Sequence, residues 1–227
     1  MRVALLALLL SASAALAQPT VSVSGAVGLP QGTFDASLNG AAGGLAGAFL
    51  YQIPRTPVAF GVEGSVLIYG IERRVEPFSL TIPDVGVDVR TSNNVAQALA
   101  VLRLQVPDGP IRPYVDGVAG LAYLYTETRV EDGFDGFPLA SSVTFDDAAP
   151  VLGAGVGTQV RLYRGRNDRG RLFEVLLDGR VRYLAGGEAT YLGRGDIERY
   201  RDGTFEVFPR RSRTDLVTPQ VGATVRF

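Results

Sequence analysis

The sequence predicts an all-β fold, an eight-stranded antiparallel up-and-down transmembrane β-barrel preceded by a cleavable signal peptide. Three observations carry this. The last segment alternates apolar and polar residues and ends on Phe227. A secretory leader stands at the other end. Between them lie seven more alternating segments, joined by connections that are alternately short and long.

The leader comes first in the chain. Met1 and Arg2 precede an apolar run from Val3 to Leu10, and small residues then lead to Ala15-Leu16-Ala17, an A-x-A cleavage pattern before Gln18. The apolar run falls short of the roughly 20 residues that a spanning helix needs. The expected organisation is therefore a signal peptide over residues 1–17 and one barrel domain over residues 18–227. With no Cys in the chain, neither a lipidated cysteine nor a disulfide framework is available.

Eight segments of the remaining chain put charges on one parity and apolar or small residues on the other, the pattern of strands with one polar and one apolar face. In residues 20–29, Val21, Val23, Val27 and Leu29 oppose Ser22, Ser24, Ala26 and Gly28. Residues 44–53 set Leu45, Phe49, Tyr51 and Ile53 against Ala46, Ala48 and Gln52. In residues 58–70, Val58, Phe60, Val62, Val66 and Ile68 oppose Glu63 and Ser65. Residues 95–106 carry Leu102, Leu104, Val106 and three alanines against Gln97, Arg103 and Gln105. Residues 111–126 set Val115, Leu121, Tyr123 and Tyr125 against Arg112, Asp116 and Thr126. In residues 151–163, Leu152, Val156, Val160 and Leu162 oppose glycines, Gln159 and Arg161. Residues 172–184 oppose Phe173, Val175, Leu177, Val181 and Tyr183 to Glu174, Asp178, Arg180 and Arg182. The eighth is 217–227, where Val217, Pro219, Val221, Ala223, Val225 and Phe227 alternate with Gln220, Gly222, Thr224 and Arg226.

Each segment is near the 9–11 residues with which a tilted strand crosses a bilayer. Residues 53–57, 107–110 and 164–170 make short connections, whereas 30–43, 71–94, 127–149 and 185–215 make long ones. Transmembrane barrels have short periplasmic turns and long outer loops, so the long connections are expected outside. An even number of strands closes the sheet and leaves no open edge.

Taken with the fragments RPYVDGVAGLAYLY from Arg112, LLDGRVRYLAGG from Leu176 and TPQVGATVRF at the end, the pattern resembles the OmpA/OmpX/OmpW-like family of small outer-membrane barrels over essentially the whole mature chain. The resemblance implies residence in the bacterial outer membrane and contact with its lipid. It also implies assembly by the barrel assembly machinery, which reads a terminal strand ending in Phe, here Phe227. A non-enzymatic envelope or surface-loop role is the leading expectation. The alternatives are a narrow pore or a lateral path for small apolar molecules, and a soluble lipocalin-like lipid carrier with its faces inverted. The enzymatic outer-membrane barrels need an active-site His, and this chain has none.

Parity predicts a lumenal charge network of Glu63, Arg103, Asp116, Arg161, Glu174, Asp178, Arg180, Arg182 and Arg226. It reads either as a narrow ion path or as a structural polar core, and the tight interior of an eight-strand barrel favours the core. Paired carboxylates in such a filled lumen leave no groove for a glycosidase substrate. The absence of both His and Cys removes Ser-His-Asp and Cys-His catalysis and the usual zinc ligand sets. No cofactor or metal is therefore expected.

Interface girdles are expected from Tyr51, Tyr163 and Phe227 at the periplasmic edge and from Tyr69, Tyr123, Tyr125 and Tyr183 at the outer edge. The acidic stretch 127–147, with Glu131, Asp132, Asp135, Asp146 and Asp147, reads as Asp-Gly turn chemistry in preference to a Ca²⁺ site, because its spacing matches no EF-hand. Arg194, Arg199, Arg201, Arg210, Arg211 and Arg213 are candidate contacts for lipopolysaccharide phosphates, set against the plainer reading of a solvated mixed-charge surface. A formal charge of −1 gives no case for nucleic acid.

Overall fold

The computed structural model of the chain describes residues 18–38, 40–79, 82–131, 138–166, 172–192, 197–199 and 205–227. The expected signal peptide lies outside them, as do Asp132, Asp135, Arg194 and Arg201. The described elements are strands β1 (Gln18–Pro30), β2 (Ala42–Gln52), β3 (Val58–Ser79), β4 (Ile82–Gln105), β5 (Ile111–Glu131), β6 (Pro138–Arg166), β7 (Leu172–Gly186), β8 (Glu188–Tyr191), β9 (Ile197–Arg199), β10 (Phe205–Val207), β11 (Arg210–Arg213) and β12 (Leu216–Arg226). One short helix, α1 (Thr33–Leu38), follows β1.

Strands β1 to β7 and β12 form one closed antiparallel barrel in which each strand neighbours the next in sequence order and β12 returns to β1. The seam pairs Thr20 with Arg226 and continues to Pro30 with Leu216. It is interrupted between Ala26↔Gln220 and Leu29↔Val217, where Pro219 has no N–H to donate and the buried Thr218 hydroxyl has no hydrogen-bond partner. The Phe227 amide donates to Pro19 O at 3.1 Å, tying the chain end beside the start of β1.

Alternation decides which way each side chain faces. Val23, Leu45, Val62, Leu102, Leu121, Leu152, Val181 and Val221, one from each barrel strand, are all more than two-fifths exposed. Their polar neighbours Ser24, Glu63, Arg103, Gln159, Arg182 and Gln220 are buried. The apolar rows point out and the charged rows point in. The inverted, carrier-type arrangement is thereby overturned: a one-residue slip would reverse every strand, and the register observed excludes it.

The long connections differ from the expectation. Residues 71–94 and 127–149 are mostly strand, because β3 stays paired with β4 out to Ser79↔Ile82 and β5 with β6 out to Glu131↔Pro138. β4 and β5 pair as far as Asp88↔Glu131, so four strands continue beyond the barrel as one sheet. An extension that leaves the bilayer and the lumen needs no alternation, and the sequence signal fades while the backbone ladder goes on. The last long connection folds into two small hairpins, β8 with β11 and β9 with β10.

The close packing of strands tells two glycines of β5 apart. A Cβ on Gly120 would fall on the backbone oxygen of Ala98, whereas one on Gly117 meets nothing within 4 Å. Gly120→Ala should cost about 1–3 kcal/mol through forced backbone shifts, and Gly117→Ala should stay within about 0.5 kcal/mol of the parent. Urea unfolding of the refolded barrel, followed by the loss of the fast-migrating unboiled band, measures both. Equal midpoints for the two variants would contradict the packing.

Candidate functional site in the barrel lumen

The lumen has a polar half and an apolar half. Four acids, Glu63, Asp116, Glu174 and Asp178, and four arginines, Arg103, Arg112, Arg180 and Arg182, are buried in it. Arg103 grips Asp116 in a two-pronged contact, Nε to Oδ1 at 2.7 Å and Nη2 to Oδ2 at 3.0 Å. Arg182 bridges two carboxylates, donating from Nη1 to Glu63 Oε1 at 2.7 Å and from Nη2 to Asp116 Oδ2 at 2.6 Å. Arg180 donates through Nε to Gln220 Oε1 at 2.6 Å. Its Nη2 lies 2.9 Å from Glu63 Oε2, an ion-pair contact without hydrogen-bond alignment. Charges removed from water in this way persist only because each meets an opposite charge in good geometry.

Asp178 completes the core of the network. Tyr114 Oη donates to its Oδ1 at 2.6 Å and Gln159 Nε2 to its Oδ2 at 2.7 Å, while Arg103 Nη1 stands 3.6 Å from Oδ2. The Arg103 guanidinium also lies over the Tyr114 ring, 3.6 Å from its centroid, a cation–π contact in a desolvated setting. Room for these groups comes from β6: a Cβ on Gly157 would strike the Tyr114 ring, and one on Gly155 would strike the Arg182 side chain. The inward glycines of β6 thus form a bare strip that the large polar side chains cross.

At the end with the short turns, Glu174 accepts from Arg112 Nη2 at 2.6 Å and from Arg161 Nη1 at 3.2 Å, with Arg164 Nε at 3.6 Å. Arg226 donates to Pro107 O at 2.9 Å. Arg161 and Arg226 are half-buried at this mouth and stand apart from the central cluster. Arg112 and Tyr114 complete the described network without having been in the sequence-based set. Both share the parity of Asp116 on β5, which is the signal that finds them.

Towards the other end the lumen turns apolar. Leu67, Leu124, Val151, Leu184 and Leu216 are buried there, and Phe34 of α1, fully buried, belongs to the same cluster. Its ring meets Tyr191 edge-on with centroids 5.1 Å apart, and Tyr69 at 6.4 Å. Tyr191 Oη bonds Ser212 Oγ at 2.8 Å, joining β8 to β11.

Of the expected girdle residues, Tyr123, Tyr163, Tyr183 and Phe227 are exposed on the outer surface, with Tyr51 and Tyr125 half-buried beside them. Tyr123 stacks on Tyr125 at 5.4 Å, and Tyr163 packs against Phe173 at 5.7 Å. Tyr69 is a correction. It has the inward parity of Glu63 and Ser65, it is buried, and its hydroxyl reaches Leu192 O at 3.5 Å. It belongs to the lumen plug and not to the lipid girdle.

In the acidic stretch, the Asp147 carboxylate accepts backbone amides, from Thr190 at 2.7 Å and from Ala148 at 2.8 Å, a structural use of the group. Among the described residues no three His, Cys, Asp or Glu side chains are placed to hold a metal. Arg211 pairs with Glu188 at 2.9 Å, and both side chains are largely exposed.

A closed eight-stranded up-and-down sheet, apolar outside and charged within, has the build of a small membrane-spanning β-barrel. No family model and no curated protein matches the chain. Among solved structures it is similar to Neisserial surface protein A (NspA), with 16% identity over 92% of this chain and 95% of that one and a TM-score of 0.38. It is also similar to Ail, the attachment invasion locus protein of Yersinia pestis, at 15% identity, 93% and 97% coverage and a TM-score of 0.35. A major outer membrane protein from Thermus thermophilus aligns at 11% identity, 92% and 99% coverage and a TM-score of 0.44.

The network makes a specific claim about stability. Arg182→Met leaves Arg103 and Arg180 facing three carboxylates, Glu63, Asp116 and Asp178, and should destabilise the barrel by about 3–5 kcal/mol. Adding Asp116→Asn to that variant should recover part of the loss, because Arg180 then keeps Glu63 and Arg103 keeps Asp178 with no carboxylate in excess. Denaturant midpoints of the single and double variants test this. A double variant less stable than Arg182→Met alone would refute the pairing scheme.

Proposed function

We propose that the chain is an integral, non-enzymatic protein of the bacterial outer membrane, a closed barrel that holds long hairpins above the membrane for envelope or surface-interaction roles. The observation that carries this reading is the outward apolar row present on all eight barrel strands while the charged groups are buried within. Only a closed barrel or a helix satisfies its backbone in lipid, and no helix among the described residues is long and apolar enough to cross. The short turns then face the periplasm and the extended β3–β6 sheet faces outward.

Lipid is the partner of the outer surface in this reading, and the C-terminal strand β12 is the segment presented to the barrel assembly machinery. Arg199 of β9 and Arg210, Arg211 and Arg213 of β11 are the described candidates for lipopolysaccharide phosphates. The pore reading draws less support, since hydrogen-bonded side chains occupy the polar half of the lumen and an apolar plug that includes Phe34 occupies the other.

Two measurements test the proposal. Fractionation should recover the protein in the outer membrane, and it should migrate faster before boiling than after. In planar bilayers the purified protein should give no stepwise conductance. Soluble periplasmic protein without a mobility shift would sink the membrane assignment, and unitary currents from the parent would sink the closed lumen.

A further inference from the structure

Charge is unevenly divided between the two ends of the barrel. Among the described residues, the segments that form or flank the short turns carry six arginines against two carboxylates, whereas those at the other end carry eight arginines against thirteen. The central cluster between them, Arg103, Arg180 and Arg182 with Glu63, Asp116 and Asp178, is balanced. The turn end is therefore the basic pole of a molecule whose other end is acidic.

The excess gathers around one carboxylate. Glu174 meets three guanidiniums, those of Arg112, Arg161 and Arg164, and one of its oxygens is shared between the last two. Arg226 lies within electrostatic range of the same group, with Asp108 as a further offsetting acid. Arg112 is buried, and its Nη1 has no hydrogen-bond partner. A buried guanidinium nitrogen left without an acceptor costs free energy that an incoming acceptor would recover. Access comes from Arg161 and Arg164, whose side chains are 26% and 54% exposed.

We propose that this mouth is a binding site for a phosphate-class anion, held by Arg112, Arg161 and Arg164 around Glu174. A phosphate group offers tetrahedrally arranged oxygens that can meet several guanidinium forks from different directions, which a planar carboxylate does not. The anion comes either from solution or from a phospholipid headgroup. Tyr163, Phe173 and Phe227 lie at the same end, and aromatic side chains of this kind mark headgroup height. The compartment that the mouth faces rests on the orientation proposed above, but binding itself does not, so the test uses purified protein and its failure would leave the membrane assignment standing.

The barrel is refolded in a sugar-headed, phosphate-free detergent and titrated calorimetrically with inorganic phosphate at constant ionic strength. Retention of phosphatidylglycerol against phosphatidylcholine is followed in parallel by native mass spectrometry. The expected result is saturable binding in one or both arms, weakened at least tenfold in Arg161→Gln/Arg164→Gln and unchanged in Arg211→Gln/Arg213→Gln at the opposite end. Phosphate binding alone assigns a soluble anion, and selective retention of phosphatidylglycerol assigns a headgroup; either supports the site. Each variant is first checked for the fast-migrating unboiled band. Arg164→Gln alone, at an exposed position, carries the test if the double variant does not fold. No saturable binding in either arm, equal loss in the opposite-end variant, or displacement by polyglutamate without phosphate binding would overturn the proposal.

Discussion

Because β12 pairs with β1, the sheet closes on itself and every barrel residue faces either the outside or a narrow interior. A period of two assigns it to one or the other with no third choice. Lipid tolerates no charge on the outer face without a penalty of a few kcal/mol near the midplane. The arginines and carboxylates of β3 to β7 must therefore meet one another inside, and their number and positions have to match. The ion-pair network follows from closure and is not an addition to it.

Within that confined space the two halves of the lumen solve different problems. The polar half shares its acceptors: Asp116 serves Arg103 and Arg182, Glu63 accepts from Arg182 and lies against Arg180, and Asp178 serves Tyr114 and Gln159. The apolar half fills its section with aliphatic side chains and with Phe34, a residue supplied from outside the sheet. One half resists the removal of any single member, because a partner is then left charged in a dry place. The other tolerates volume-conserving exchange.

Most of the barrel was legible because half-buried strands repeat every two residues. The parity of Glu63 on β3 and of Arg180 and Arg182 on β7 follows directly from that repeat. Three things were not legible. The extensions of β3 to β6 read as loops, since residues such as Glu72, Arg73 and Arg74 belong to strand beyond the barrel, where alternation has no physical cause. Tyr69 was assigned to the girdle by its chemistry, although the register of β3 turns it inward, and a register shift falls between Ile68 and Gly70. Phe34 gave no signal at all. It lies in a six-residue helix between strands, and its role depends on Tyr69 and Tyr191, positions far away in sequence that only the closed fold brings to it.

The gap in the seam has a kinetic meaning. Seven of the eight strand interfaces join consecutive barrel strands, while the eighth joins the two ends of the barrel sequence, with Ser24 and Gln220 in contact across 196 positions. The entropy of closing a loop grows with its length, so this interface is the slowest to form by diffusion alone. It is also the one in which Pro219 withholds a donor. The ring is thus bonded least where it is hardest to join, and β1 and β12 are the strands at which a finished barrel would first part.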